Sequence, residues 1–159
     1  MLSASTSSLL STAAFAALAS ALPAINHDVV PRAGGPAIVP IPSTCSVTDP
    51  LPSSQAVSYM PAPSTDDALL YSSYYPSFST NKTVMAEQCA QSCYGYGTHV
   101  ECKTAFWAEN VVVPAGYYGS SGGQLSTGCL FFSRELASSD FVVAPEGQAT
   151  DAFARNIAC

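Results

Sequence analysis

The chain has 159 residues, six cysteines and a formal net charge of −6, with only five lysines and arginines. The length suits one domain. The basic residues Arg32, Lys82, Lys103, Arg134 and Arg155 are scattered, which excludes the clustered positive surface that nucleic acids and anionic membranes require.

The amino-terminal end reads as a leader. Residues 9–19 (LLSTAAFAALA) form an apolar run, long enough for a signal-peptide core and short of the ~20 residues that span a bilayer. Ala17, Ala19 and Ala21 supply small residues at cleavage spacing, although no Lys or Arg precedes the run. Residues 1–21 are therefore expected to be a signal peptide. Residues 22–44 contain Pro31, Pro36, Pro40 and Pro42. Those prolines forbid a helix and suit an extended, solvated linker, with little order expected before Cys45. The domain is then 45–159. Charged residues make up 10% of the chain, so Ser, Thr, Asn, Gln and Tyr must carry the surface polarity, as suits a secreted protein. The ending NIAC has no apolar tail, and neither a lipid anchor nor a membrane span is expected.

Within the domain, Asp49-Pro50 and Pro61-Ala62-Pro63 are turn signals. Residues 55–60 (QAVSYM) alternate weakly, as a strand does. Residues 68–75 (ALLYSSYY) read as a second strand. Its Tyr71, Tyr74 and Tyr75 are expected to divide between core and surface rather than form a binding face. Asn81-Lys82-Thr83 is the one N-glycosylation sequon, so Asn81 is the expected glycan site.

The clearest helix follows. Thr83 is the expected N-cap, with Glu87 in the first turn, where the helix dipole favours a negative charge. Met85, Cys89 and Cys93 are spaced i, i+4, i+8, with Ala86 and Ala90 beside them, so one face must both pack and crosslink. Gly95 and Gly97 end it. Residues 100–109 (VECKTAFWAE) alternate as a strand. Cys102, Thr104 and Phe106 share the expected core face. Trp107, the single tryptophan, falls on the other face among charged neighbours. It reads either as a stacking platform for a ligand or as a ring covered by the 46–80 insert.

Residues 115–127 (AGYYGSSGGQLST) are a Gly/Ser loop with Tyr117 and Tyr118 near its start. Strands are expected at 129–136 and 141–144, and the tail 151–159 reads as helix or strand.

Little in the chain points to catalysis. Gly119-Ser120-Ser121-Gly122-Gly123 fits the nucleophile-elbow pattern, but no His follows it, and the elbow needs one. His27 lies in the linker and His99 is alone in the domain. With an even cysteine count in a small secreted domain, all thiols are expected in disulfides. That leaves no nucleophilic thiolate and no zinc thiolates. Asp66-Asp67 reads as solvated surface. No catalytic residue, metal site or cofactor is expected.

The pattern Cys89-x3-Cys93 on a helix, Cys102 opening the next strand, Phe106-Trp107 after it, and Cys129-Leu130-Phe131 resembles the PAN/Apple family. It is most similar to the PAN/Apple-like domains of secreted fungal proteins. The resemblance implies an α+β fold, a small antiparallel sheet wrapped around one helix and stapled to it by disulfides. Spacing on one helix argues against Cys89 with Cys93 but otherwise leaves the pairing open. The Apple pattern implies Cys45 with Cys159, Cys89 with Cys129, and Cys93 with Cys102. It also implies a secreted, non-catalytic binding module for an extracellular protein or carbohydrate, with Trp107, Tyr117 and Tyr118 as the aromatic candidates for contact. A structural cell-wall or matrix protein, or an effector without a glycan ligand, is the alternative expectation.

Overall fold

In the computed structural model, residues 35–53 and 57–159 are described. The expected signal peptide, the linker up to residue 34, and residues 54–56 lie outside them. The strands are β1 (Ser46–Thr48), β2 (Tyr59–Pro61), β3 (Leu69–Tyr75), β4 (Thr104–Val112), β5 (Leu125–Phe132), β6 (Phe141–Val143) and β7 (Thr150–Ala158). A single α-helix among the described residues, α1 (Lys82–Tyr94), lies between β3 and β4.

Five strands form one antiparallel sheet in the order β1-β7-β4-β5-β3, and β2 pairs with β6 in a separate two-stranded ribbon. The helix covers one face of the sheet. There Met85, Ala86, Cys89, Ala90 and Cys93 pack with Ala105, Trp107, Cys129, Phe131 and Ile157. The opposite face packs Phe106, Ala108, Leu130 and Phe132 against Phe141 and Leu136, with Tyr59 and Met60 of the ribbon at its margin.

The helix presents the crosslinking face that its spacing predicts: those five residues are its buried ones. Its start differs from the expectation. Asn81, not Thr83, is the N-cap, and its Oδ1 accepts the Val84 N–H at 3.2 Å. Glu87 consequently lies in the second turn, clear of the exposed N–H groups. The cap falls two residues earlier because Asn is as good an N-cap as Thr or better, and Lys82 and Thr83 then fill the first turn.

Both faces of the first five residues of β4 are buried, and this overturns the expected placement of Trp107. Thr104 to Ala108 are all buried, and Trp107 is 1% exposed beneath the helix. Of the charged residues that suggested a polar face, Glu101 and Lys103 precede the strand and Glu109 follows its buried stretch. Cys102 also lies before it and joins the helix-side cluster. A strand hydrogen-bonded on both edges and covered on both faces has no solvent side, so alternation fails as a guide. Helix α1 packs over the Trp107 side of the sheet, and Tyr75 of the 46–80 insert belongs to the same cluster.

The segment 35–44 before Cys45 packs on the domain, contrary to expectation. It runs across the carboxy-terminal half of α1 as an extended strap. Val39 N–H donates to the Gln91 carbonyl at 3.2 Å, and Ile41 packs against the helix-side core. Gly95 permits the crossing, since a Cβ there would collide with the Ala37 carbonyl oxygen. The carboxy-terminal tail resolves as strand β7, and β5 begins and ends four residues earlier than expected.

Three disulfides close the structure: Cys45–Cys159, Cys89–Cys129 and Cys93–Cys102. These are the pairs that the Apple pattern implies. Two of them bolt the helix to β5 and to the approach to β4. The third ties the start of β1 to the end of β7.

The segment after β5 is held by side chains. Asn156 on β7 donates through Nδ2 to the Leu136 carbonyl at 2.9 Å, and its Oδ1 accepts the Thr104 hydroxyl at 2.6 Å. Further along, the Arg134 guanidinium meets both oxygens of Asp140, at 2.8 and 2.9 Å, and the Ala137 N–H donates to Asp140 Oδ2 at 2.8 Å. The guanidinium first, and that N–H second, lower the Asp140 carboxyl from an ordinary 3.8 to about 2. A folded value below the unfolded one contributes stability that is complete above the unfolded value and is lost as pH falls through the folded value. Wild-type protein is therefore expected to lose thermal stability between about pH 4 and pH 2 through this group. Asp140→Asn should start lower at neutral pH and show a smaller loss across that window. Thermal midpoints measured across the window check this, and parallel curves would refute it.

Candidate functional site

The hairpin joining β4 to β5 carries the most exposed aromatic ring of the described residues. Its neck is closed by Val113 N–H to the Gln124 carbonyl and Gly123 N–H to the Val113 carbonyl, both at 2.9 Å. Beyond the neck the chain turns tightly, with Gly116 N–H donating to the Ser120 carbonyl at 2.8 Å and Ser120 N–H to the Tyr117 carbonyl at 2.9 Å. Such a turn needs left-handed backbone, and glycine supplies it at Gly116 (φ 87°) and Gly119 (φ 78°) without a steric penalty. Between them, Tyr118 is itself left-handed at φ 45°, ψ 37°. A bulky side chain in that region is disfavoured, and this one is 92% exposed.

Tyr117 is held from two directions. Its ring stands edge-on to Tyr74 at 4.8 Å and to Tyr118 at 4.7 Å. Its hydroxyl accepts the backbone N–H of Tyr74 at 3.1 Å. Strand β3 is the edge of the five-stranded sheet, so this hydroxyl occupies a donor that an incoming strand would otherwise seek. Burial first, with Tyr117 and Asp66 adding to it, raises the Tyr74 phenol above its ordinary value, against a lowering hydrogen bond from Ser72. The Tyr74 phenol is therefore uncharged at neutral pH. Residues 113–125 (VPAGYYGSSGGQL) contain no Asp, Glu, Lys, Arg or His.

The expected contact residues thus separate. Tyr117 and Tyr118 come together at the tip, while Trp107 lies in the core and presents no surface for stacking. Tyr74 joins the tip, and its contact with Tyr117 spans 43 residues of sequence. No local pattern in the chain announces that pairing.

A concavity of about 370 Å³ lies between the strap, α1 and the β1–β7 edge, lined by Pro40, Ile41, Glu87, Gln91 and Arg155 among others. Arg155 is already engaged there, with Asp49 at 2.9 Å and over the Phe153 ring at 3.8 Å. His99 is turned back on the chain, its Nδ1 2.8 Å from the Tyr94 carbonyl and its ring stacked on Tyr94. The six cysteines are all paired. Among the described residues no group of His, Cys, Asp or Glu is arranged to hold a metal ion, and no helix is long and apolar enough to cross a membrane. Asn81 is exposed at the helix start, with Oδ1 engaged in the cap and Nδ2, the atom a glycan would use, pointing to no partner among the described residues.

Fold and site together define a small α+β, disulfide-rich domain, mostly antiparallel sheet with one helix and three disulfides. No family model, no curated protein and no solved structure matches this chain.

Proposed function

We propose that the protein is a secreted, non-catalytic recognition module of PAN/Apple-like type, acting outside the cell or in the cell wall, and that it meets an extracellular protein or carbohydrate through the tip of the β4–β5 hairpin. The cysteine pairing and the helix laid on an antiparallel sheet support the PAN/Apple reading. The disulfides suit an oxidising compartment. A glycan on Asn81 is compatible with the helix cap, because it would attach through Nδ2 and leave Oδ1 in place.

The observation that carries the reading is Tyr118, a large ring held almost wholly in solvent by a disfavoured backbone conformation. Stability gains little from such a residue, and sparsely populated conformations cluster at functional positions. Aromatic side chains provide contact area at low entropy cost. Saturable retention on an extracellular wall or matrix preparation is expected, with Tyr118→Ala weakening it about tenfold while leaving the thermal midpoint unchanged. Equal retention of the two proteins would remove the tip from the site. Retention that never saturates would favour a structural wall protein.

A further inference from the structure

We infer that the ligand of the hairpin tip is an uncharged polysaccharide, stacked by a sugar ring on Tyr118, with Tyr117 as the residue that positions that ring. This rests on the reading of the tip as the recognition surface.

Charge comes first. Residues 113–125 carry no ionisable group other than two tyrosine phenols. An anionic polymer would find no counter-charge in this segment, and both Asp66, whose charge reaches the Tyr74 phenol behind the tip, and the whole chain, at −6, repel anionic polymers and anionic lipid. The hydrogen-bonding groups on offer are neutral: the exposed Ser121 hydroxyl, the exposed Gln124 amide and backbone. Hydroxyl-rich, uncharged ligands match such groups.

Shape comes second. A Cβ added at Gly116, Gly119 or Gly123 would meet nothing within 4 Å. The Tyr118 ring is itself 92% exposed, so no neighbouring side chain walls it off apart from Tyr117. A pyranose presents an apolar C–H face that stacks on an aromatic ring while its equatorial hydroxyls remain in water. A protein partner favours a different surface, with hot-spot rings set in a dry patch ringed by further side chains. Glycine and serine around Tyr118 supply few atoms for such a rim.

Preorganisation comes third. The Tyr117 hydroxyl is anchored on the Tyr74 N–H, and its ring braces Tyr118 edge-on. The stacking face is thus oriented before the ligand arrives, which lowers the entropy cost of binding. Tyr117 acts through Tyr118 and is a positioning residue.

The test is depletion of the purified full chain by three neutral insoluble polymers, a β-glucan, cellulose and chitin, beside a carboxylated polysaccharide and zwitterionic lipid vesicles. Retention on at least one neutral polymer is expected, unchanged between about 0.05 and 1 M salt, since screening at high salt removes only charge-driven binding. Tyr118→Phe should retain binding and Tyr118→Ala should lose about tenfold. Tyr117→Phe keeps the ring and removes the anchor. It should weaken binding several-fold with no change in thermal midpoint, a split that a merely structural role would not produce. Equal binding by Tyr117→Phe would overturn the positioning role. Binding only to the carboxylated polymer, only to vesicles, or to none of the neutral polymers would overturn the polysaccharide assignment. Wall retention that is sensitive to Tyr118→Ala but abolished by protease treatment of the wall would do the same, pointing to a protein ligand while leaving the tip in place. Wall retention insensitive to Tyr118→Ala would instead overturn the tip reading itself.

Discussion

Reductant is expected to dismantle the domain in two steps, with Cys45–Cys159 opening first and the fold surviving until the helix bonds open. Cys159 is exposed and Cys45 half-buried, whereas Cys89, Cys93, Cys102 and Cys129 are each no more than 4% exposed. Thiol–disulfide exchange requires access to sulfur, so the outer bond reacts first. Its loss frees the strap and β1, a three-residue strand with every side chain exposed, and leaves the two packed faces of the sheet intact. The bonds Cys89–Cys129 and Cys93–Cys102 span 40 and 9 residues. Loop-closure entropy assigns them about 4 and 2.5 kcal/mol respectively. Those amounts are a large part of the ~5–15 kcal/mol that holds an ordinary domain together. Cys89→Ala with Cys129→Ala should therefore lower stability by about 4 kcal/mol. A time course of alkylation followed by mass spectrometry, run beside near-UV dichroism, checks the order. Loss of the dichroism together with the first alkylated pair would show that the outer bond holds the core as well.

Trp107→Ala is the second large effect. The ring is enclosed by the helix and lies in register with Cys129 on β5 and Phe153 on β7. Emptying that space should cost about 3–5 kcal/mol. Trp107→Phe keeps an aromatic ring and removes an indole N–H that has no hydrogen-bond partner in its buried position. It should cost less than about 2 kcal/mol and bind as wild type does. Denaturant unfolding measures both. A folded Trp107→Phe that has lost binding would return Trp107 to the recognition surface.

The helix was legible because three constraints coincide in one segment: apolar spacing at i and i+4, two cysteines on the same face, and glycines at its end. Aromatic content marked β3, and period-2 alternation located most of β4. The same signal misled at Trp107. It measures how one strand alternates between polar and apolar residues, and Glu101 and Lys103 belong to the approach to β4 rather than to β4 itself. The strap was missed for a related reason. Its prolines correctly rule out a helix, but an extended proline-rich segment is equally compatible with solvent and with packing on a neighbour. Gly95, the residue that admits the strap, reads in sequence only as a helix end. At the tip, Gly116 and Gly119 announce a turn, and Tyr117 and Tyr118 announce aromatic surface. Nothing local announces that Tyr74 would receive the Tyr117 hydroxyl.

Properties that depend on near neighbours were thus set by the order of residues alone: the amphipathic helix, the turns, the absence of charge from 113 to 125 and the supply of paired cysteines. Properties that depend on which distant segments meet were decided by the assembled molecule. The sheet order put β4 in the middle, which buried Trp107. It put β3 at the edge, which gave Tyr117 a free N–H to hold. Burial and edge position belong to neighbours far apart in sequence, and a local pattern carries no information about them.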